Sequence, residues 1–133
     1  MSLPRALRHR FMTSHTNLAR AMYAAYGSGD RDAIEPIIAP AFRFWSPLDD
    51  GIDRATYFER CWPNGANMAA IDIQRLLTDV DRAYVTYEVR MRDGRRFRNT
   101  ELLTVRDGKI TDVEVYFGWS IPHPAATGSF VDD

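Results

Sequence analysis

Two Asp-Gly pairs in the last third of the chain constrain its fold more than any other feature. Asp93-Gly94 and Asp107-Gly108 separate three runs that are rich in Val, Tyr, Phe and Leu. Both residues of an Asp-Gly pair can adopt the positive φ that a tight turn requires, so such a pair between strand-forming runs predicts a β-hairpin. The sequence therefore predicts an antiparallel meander of three strands, at residues 82–91, 95–105 and 109–117.

Length and charge limit the class of protein. A chain of 133 residues fits one domain. Its formal net charge is -1, so no overall field favours nucleic acid or an anionic membrane. No apolar run is long enough to span a membrane, and the amino terminus lacks the apolar core of a signal peptide. We expect one cytoplasmic domain over residues 1–133, with a core at about 14–119, an N-terminal extension at 1–12 and a coil tail at 122–133.

The first half of the chain has a helical pattern. Leu18, Met22 and Tyr26 recur every four residues and form one apolar stripe on a helix that Gly27 or Gly29 can end.

A second, shorter helix begins near Asp30 or Asp32, a strand follows at 42–45, and Asp53 can cap a third helix. The third helix stops before Pro63, and a second strand begins near Ile71, ahead of the three strands of the meander. Helices followed by strands imply an α+β domain in which three helices cover one face of a curved antiparallel sheet and form a cone with an open mouth.

Metal and cofactor signatures are missing from the sequence. His9, His15 and His123 are spaced too irregularly for a metal site, and the single Cys61 is interpreted as a packing residue. The sequence contains no glycine-rich phosphate loop and no nucleophile elbow. We expect neither a metal nor a cofactor.

Five arginines surround the first predicted turn, namely Arg90, Arg92, Arg95, Arg96 and Arg98. Arginines at the tip of a hairpin usually form a solvated rim. We therefore interpret this cluster as a rim rather than as an anion-binding site.

The turn at Asp93-Gly94 also predicts which side chains are neighbours. If the turn has two residues, Glu88 lies opposite Asn99 and Thr86 lies opposite Glu101. Both faces of the meander are mixed in polarity, so hydrophobicity does not decide which face lies inward. A shift of one residue would exchange the faces.

Several motifs follow one another in a familiar order. They are Gly29-Asp30, Trp45-Ser46-Pro47, Asp53 ahead of Tyr57-Phe58, Asn99-x-Glu101, Asp107-Gly108-Lys109-Ile110 and Val115-Tyr116-Phe117-Gly118. Together with the element order, they resemble the nuclear transport factor 2-like superfamily over residues 14–119. The SnoaL-like and ketosteroid isomerase branch is the most similar. The resemblance implies a cystatin-like α+β barrel with a cone-shaped pocket, although proteins of this fold differ widely in activity.

The resemblance also suggests a role for Glu101. Ketosteroid isomerases carry, at the matching position, a protonated acid that donates a hydrogen bond to the substrate oxyanion. On that match, Glu101 and Asn99 point into the cone, where an apolar pocket would favour a neutral carboxyl group. The structural alternative is a buried acid that a neighbour such as Thr86 satisfies.

Other positions depart from the isomerase pattern. Ser46 replaces the Asp base that precedes a Pro in those enzymes, and a serine cannot abstract a carbon-bound proton unaided. By its spacing from Asp30, Met22 stands where they have an oxyanion-hole Tyr, although Tyr23 and Tyr26 lie close by. Val115 occupies the position of an essential Asp in limonene epoxide hydrolase relatives. We expect neither of these specific activities.

The remaining candidates define a pocket with two acids. Glu101 is the candidate acid, with Asp50 or Glu88 as the base, and the loop at Asp49 or Asp50 is close to the pocket. Two carboxyl groups that share a cavity have separated pKa values, so one can stay neutral while the other is ionised. The candidate substrate-binding residues are Asn99, Tyr57, Trp62, Trp45, Ser46 and Met22.

Two functions fit this inventory. One is a cofactor-independent isomerase, cyclase or dehydratase that moves protons on a small apolar carbonyl compound. The other is a non-catalytic protein that binds a hydrophobic ligand or serves as a dimeric scaffold. In either case, an outer sheet face that carries Val85, Tyr87, Val89 and Met91 predicts a two-fold homodimer, because exposed apolar patches usually mark interfaces.

Overall fold

Three helices pack against one face of a six-stranded sheet in the computed structural model, which describes residues 4–132, and the side chains of all these residues except 6–13. The helices are α1 (Arg5–Ser28), α2 (Arg31–Ile34) and α3 (Arg54–Arg60). Short 3₁₀ segments at Glu35–Ile37 and Trp62–Asn67 follow α2 and α3. The strands are β1 (Ile38–Ser46), β2 (Asp49–Asp53), β3 (Met68–Thr78), β4 (Arg82–Met91), β5 (Arg96–Arg106) and β6 (Lys109–Ile121).

The helix boundaries follow from local chemistry. Helix α1 ends at Gly29, whose φ of 72° lies in the left-handed region that glycine adopts without steric cost. Asp30 caps α2 by accepting a hydrogen bond from the Ala33 amide at 3.2 Å. Asp53 caps α3 in the same way, with the Thr56 amide at 2.9 Å. These predicted boundaries are confirmed, whereas α1 begins at Arg5 and so includes most of the predicted extension at residues 1–12, of which residues 1–3 lie outside the described residues.

The sheet is curved and open, with the strand order β2-β1-β6-β5-β4-β3. Neighbouring strands run antiparallel, except that β1 and β6 are parallel. This arrangement confirms the predicted α+β fold. The strand β2 was missed, because the turn-forming residues Asp49 to Gly51 predicted a loop.

The turn at Asp93-Gly94 has three residues rather than two. The Met91 amide donates to the Arg95 carbonyl at 2.7 Å, and the Gly94 amide donates to the Met91 carbonyl at 3.0 Å. Gly94 has a φ of 94°, as the last residue of a three-residue hairpin loop requires. In contrast, Asp107 and Gly108 have φ values of 52° and 73° and form the predicted two-residue turn.

The extra loop residue shifts the predicted pairing by one position. Tyr87 lies opposite Asn99, Val85 lies opposite Glu101, and Glu88 lies opposite Arg98. The predicted pairs of Glu88 with Asn99 and of Thr86 with Glu101 are therefore wrong.

The shift also corrects the assignment of the outer face. Val85, Tyr87 and Val89 are buried in the core beneath the helices, and Met91 lines the cavity described below. The outer face of β4 carries Tyr84 and the residues that alternate with it instead.

Below the helices, the sheet's inner face forms the core. Its largest fully buried side chains are Phe42, Ile34, Ile38, Leu103, Ile110, Val85 and Val89. In the described part of the chain, no helix combines the length and the apolar character needed to cross a membrane.

Candidate functional site

A cavity of about 630 Å³ opens between the inner face of the sheet and the helices. This volume suits a small organic ligand, because binding pockets typically measure roughly 300–1,000 Å³. The residues that line it are mostly apolar or aromatic and include Met22, Phe44, Tyr57, Met68, Ile71, Phe97 and Val115. Leu48, Phe117 and Trp119 also line it and are exposed, so they form part of its mouth.

Glu101 is a buried acid in the wall of this cavity. Its residue is 6% exposed, and it projects from β5 beside the inward-facing Tyr87 of β4. The Tyr23 hydroxyl of α1 donates a hydrogen bond to Oε2 of Glu101. Burial raises the pKa of Glu101 to about 7, although hydrogen bonds from Tyr23 and Tyr87 act in the opposite direction. A large fraction of Glu101 is therefore a neutral acid near pH 7.

Asn99 and Tyr87 extend this polar group along the wall. Asn99 Nδ2 donates to the Tyr87 hydroxyl at 3.3 Å, while its Oδ1 accepts from the Gly118 amide at 3.3 Å. Burial raises the pKa values of Tyr23 and Tyr87 well above that of an ordinary tyrosine. Both tyrosines therefore remain neutral hydrogen-bond donors at neutral pH.

Asp49 is a second acid of the same cavity. Its Oδ2 accepts from the Ser46 hydroxyl at 2.7 Å, and its Oδ1 accepts from Arg60 Nε at 2.6 Å. Burial acts to raise the pKa of Asp49, but the hydrogen bonds from Ser46 and Arg60 and the charge of Arg60 outweigh it and lower that pKa. Asp49 is therefore ionised at neutral pH. The cavity combines a weak acid, Glu101, with a carboxylate.

Cys61 lies next to Asp49, with its Sγ 3.9 Å from Oδ2. Burial, together with the nearby charge of Asp49, raises the pKa of the thiol to about 11. The neutral thiol therefore packs in the wall, which is the role that the sequence suggested for it.

Five of the predicted site residues line the cavity, namely Glu101, Asn99, Tyr57, Ser46 and Met22. Two predicted bases do not. Glu88 lies on the outer face of β4 and forms ion pairs with Arg96 and, at 3.8 Å, with Arg98. Asp50 is exposed and does not line the cavity, whereas its neighbour Asp49 does. The placement predicted for Glu88 and Asp50 is therefore wrong, because of the shifted hairpin and the unrecognised strand β2.

Two aromatic residues that were predicted to line the cavity, Trp45 and Trp62, do not line it. Trp45 follows the inward-facing Phe44, so strand alternation puts it on the outer face, where it pairs in register with Glu114. Trp62 packs against the rings of Tyr26 and Phe58, with centroids at 5.5 Å and 5.8 Å, and does not line the cavity. Both tryptophans serve packing instead.

Sequence reasoning did not assign Tyr23 or Tyr87 to the site, and it named Asp49 only as an alternative to Asp50 in the loop beside the pocket. The signal for Tyr23 was its spacing of four residues from Ala19, which is also buried on α1. For Tyr87, the signal was the possibility of a three-residue turn. Among the side chains that the structure describes, those of residues 4, 5 and 14–132, no three of His, Cys, Asp or Glu come together as a metal site would require.

The fold and the cavity define an α+β domain of the type that encloses a small-molecule pocket. The sequence model of the SnoaL-like domain matches residues 19–113. Since this match covers most of the chain, the protein belongs to the SnoaL-like domain family.

Solved structures share the fold. A candidate ketosteroid isomerase from Kribbella flavida has 20% sequence identity and a TM-score of 0.70, over 92% of this chain and 90% of that one. AclR, a candidate hydroxylase from Streptomyces galilaeus, has 18% identity and a TM-score of 0.67, over 80% and 76%. A nuclear transport factor 2-like protein of unknown function from Burkholderia xenovorans has 17% identity and a TM-score of 0.70, over 86% and 87%.

At these identities, the likeness establishes the fold and not an activity. No protein with a curated description matches the sequence.

Proposed function

We propose that this protein binds a small apolar carbonyl compound and rearranges it by acid–base proton transfer, as an isomerase, cyclase or dehydratase would. The observation that carries the proposal is the pair of acids in one apolar cavity, Glu101 and Asp49, whose pKa values are shifted in opposite directions. Such a pair supplies a proton donor and a proton acceptor at the same pH. Asp49 takes the role of base that the sequence had suggested for Asp50 or Glu88.

The proposed step begins with the substrate carbonyl oxygen near Glu101. The protonated Glu101 carboxyl accepts a hydrogen bond from Tyr23 with one oxygen and has an O–H to donate. The Asp49 carboxylate takes a proton from the carbon next to the carbonyl. The C–H electron pair then forms the carbon–carbon double bond of an enol, and the carbonyl π pair moves to the oxygen, which receives the proton of Glu101. In a β,γ-unsaturated ketone the enol is a dienol: its γ-carbon takes the proton back from Asp49, the double bond moves to the α,β position, and the enol O–H returns its proton to Glu101 as the carbonyl re-forms.

The energetic support comes from the environment of each acid. An oxyanion that forms in an apolar cavity is stabilised strongly by a donor already in place, and the protonated Glu101 carboxyl, held by Tyr23, lies in that wall. Ser46 and Arg60 hold the Asp49 carboxylate in one orientation, which reduces the entropy lost on reaching a reactive geometry. The same two bonds make Asp49 a weak base, so the proposal favours substrates with an activated C–H bond.

The test uses hydrogen–deuterium exchange of 2-tetralone, an apolar bicyclic ketone, in D₂O near pH 7. Proton NMR reports loss of the signals next to the carbonyl. We expect the wild-type protein to accelerate exchange above the buffer rate. Glu101→Gln and Asp49→Asn should each lower the acceleration about 100-fold, the usual contribution of a general acid or base.

Asp50→Asn is the matched control, because Asp50 is adjacent to Asp49 but exposed and outside the cavity. It should retain the full rate. Circular dichroism and thermal unfolding of each variant show whether it is folded. A wild-type protein that never exceeds the buffer rate, or an Asp50→Asn variant as impaired as Asp49→Asn, would contradict the proposal.

The alternative function is a non-catalytic binding protein for a hydrophobic ligand. It is favoured by the engagement of Asp49 with Ser46 and Arg60, which a purely structural carboxylate would also show. Saturable binding of 2-tetralone without exchange, and with affinity unchanged by Asp49→Asn, would support this alternative.

A further inference from the structure

Arg95 lies at the mouth of the cavity. Of the described residues that line the cavity, only Arg95 is cationic. Its side chain is 75% exposed, so the charge lies at the solvent end and not among the apolar walls. The sequence predicts a solvated rim of arginines around this turn, and Arg95 is the member of that cluster that also lines the cavity.

The position of Arg95 is fixed by contacts of the turn that precedes it. The Arg92 amide donates to the Asn67 carbonyl at 2.9 Å, and Arg92 Nε donates to the Ala66 carbonyl at 2.8 Å. These bonds tie the turn between β4 and β5 to the 3₁₀ segment Trp62–Asn67. Asn64 and Asn67 of that segment also line the cavity. The mouth therefore presents an arginine and two amide side chains.

Part of the Arg95 guanidinium is available to a ligand. Its Nε donates to Asp93 at 2.8 Å, and no contact among the described residues uses its terminal nitrogens. A guanidinium has five N–H donors in a fork that matches a carboxylate. Since the pair with Asp93 is exposed, it is worth little, and a ligand anion can share the charge.

A second cavity of about 380 Å³ adjoins the mouth. It shares Met91, Arg95, Phe97 and Ser120 with the main cavity and adds Arg96. Because Arg96 is ion-paired with Glu88, the guanidinium that lies between the two cavities is that of Arg95.

The interior of the main cavity, unlike its mouth, disfavours an anion. Glu101 lies in the wall without a cationic partner among the described residues, so a ligand anion beside it would oppose its ionisation. The apolar residues on either side offer no compensating charge, and an unpaired anion buried there is costly. A ligand that fits this distribution has a neutral oxygen towards Glu101, an apolar body and an anion at the mouth.

We infer that the ligand of this site is an apolar keto acid, bound with its carbonyl towards Glu101 and its carboxylate at Arg95. The inference rests on the proposed function and names the substrate class of the same cavity.

The test compares two ligands that differ only in charge, 6-acetyl-2-naphthoate and its methyl ester. Binding to the wild-type protein is measured by isothermal titration calorimetry. We expect the acid to bind about tenfold more tightly than the ester, which is the lower end of the contribution of a charged hydrogen bond. Arg95→Gln should abolish this preference, so that the acid and the ester bind with about equal affinity, and should leave the affinity for the ester unchanged. Higher ionic strength should also reduce the preference.

Arg90→Gln is the matched control, because Arg90 is an exposed arginine of β4 that does not line the cavity. It should keep the tenfold preference. Equal affinities of acid and ester, or a preference that survives Arg95→Gln, would overturn the inference while leaving the proposed function intact. Failure of both ligands to bind would overturn the proposed carbonyl-binding site itself, and the inference with it.

Discussion

The Tyr23 hydroxyl donates a hydrogen bond to the Glu101 carboxyl across a sequence separation of 78 residues, and both side chains are buried. The bond joins α1 to β5 at the wall of the cavity. A buried carboxyl without such a partner would be costly, so the phenol makes the acid tolerable inside an apolar site. The acid nevertheless retains a pKa of about 7, because burial outweighs the hydrogen bonds.

This raised pKa predicts how stability changes with pH. The ordinary pKa of a glutamate is 4.5 and that of Glu101 in the folded protein is about 7, so between these values the folded state binds a proton that the unfolded state has released. The resulting stabilisation is complete below about pH 4.5 and is lost as the pH rises through 7. Its full size is about 3 kcal/mol, from about 1.4 kcal/mol per unit of pKa difference.

Glu101→Gln should remove this dependence, since glutamine keeps the shape but does not titrate. Urea unfolding from pH 4.5 to 8 would measure the free energy of unfolding of both proteins. We expect the stability of the wild type relative to the variant to fall by about 3 kcal/mol over that range. Parallel pH profiles for the two proteins would show that Glu101 does not have a raised pKa.

Tyr23→Phe tests the hydrogen bond itself. Loss of the donor should raise the pKa of Glu101 further, because only the ionised form gains strongly from a phenolic O–H. It should also cost about 1–3 kcal/mol of stability, as for other buried polar groups that lose a partner. The ¹³C resonance of the Glu101 carboxyl reports its titration. Tyr26→Phe is the control, because the Tyr26 hydroxyl bonds to the Cys61 carbonyl at 3.0 Å. If both variants move the Glu101 pKa equally, the Tyr23 bond has no special role.

Local chemistry explains why much of the fold was predictable. The caps at Asp30 and Asp53, the end of α1 at Gly29 and the turn at Asp107-Gly108 depend on residues within four positions of one another. Fold class followed from the order of such elements. The strand β2 was missed for the same reason, because its pairing with β1 overrides the turn preference of its own residues.

The candidate site was predicted less well, because it depends on register. An Asp-Gly pair is compatible with a two-residue and a three-residue loop, and the choice moves Glu88 from one face of the sheet to the other. Glu101 and Asn99 were placed on the inner face through the family resemblance, which does not depend on that turn. The contact of Tyr23 with Glu101 depends on how α1 lies on the sheet, which no short sequence pattern specifies.

Gly118 provides a test of the packing around Asn99. A Cβ at this position would lie 2.0 Å from the Arg98 carbonyl oxygen, so Gly118→Ala requires the backbone of β5 or β6 to move. The Gly118 amide also holds the Asn99 side chain. We expect a cost of about 2–3 kcal/mol, as for other overpacked sites. Gly128→Ala is the control. Its φ of 79° adds backbone strain, but no heavy atom of another part of the protein lies within 4 Å of the Cβ that alanine would add. Urea unfolding measures both, and a cost for Gly118→Ala no larger than that of the control would contradict the predicted clash.

The outer face of the sheet remains a predicted dimer interface, with residues that differ from those first expected. Leu77, Tyr84 and Tyr116 are 69%, 41% and 57% exposed and belong to strands β3, β4 and β6. Tyr84 lies in register with Leu77 on one side and Leu102 on the other, so these apolar groups form a row across the strands. A contiguous patch of this kind on a sheet face is typical of an interface between copies of a chain.

We therefore expect sedimentation velocity at micromolar concentration to show a dimer of the wild-type protein. Tyr116→Lys should shift it to a monomer, because a lysine buried at a two-fold interface would be duplicated and unpaired. Leu48→Lys is the control, since Leu48 is 72% exposed but lies at the mouth of the cavity rather than on the outer face. A monomeric wild type, or a dimer that Leu48→Lys breaks and Tyr116→Lys does not, would rule out this face as the interface.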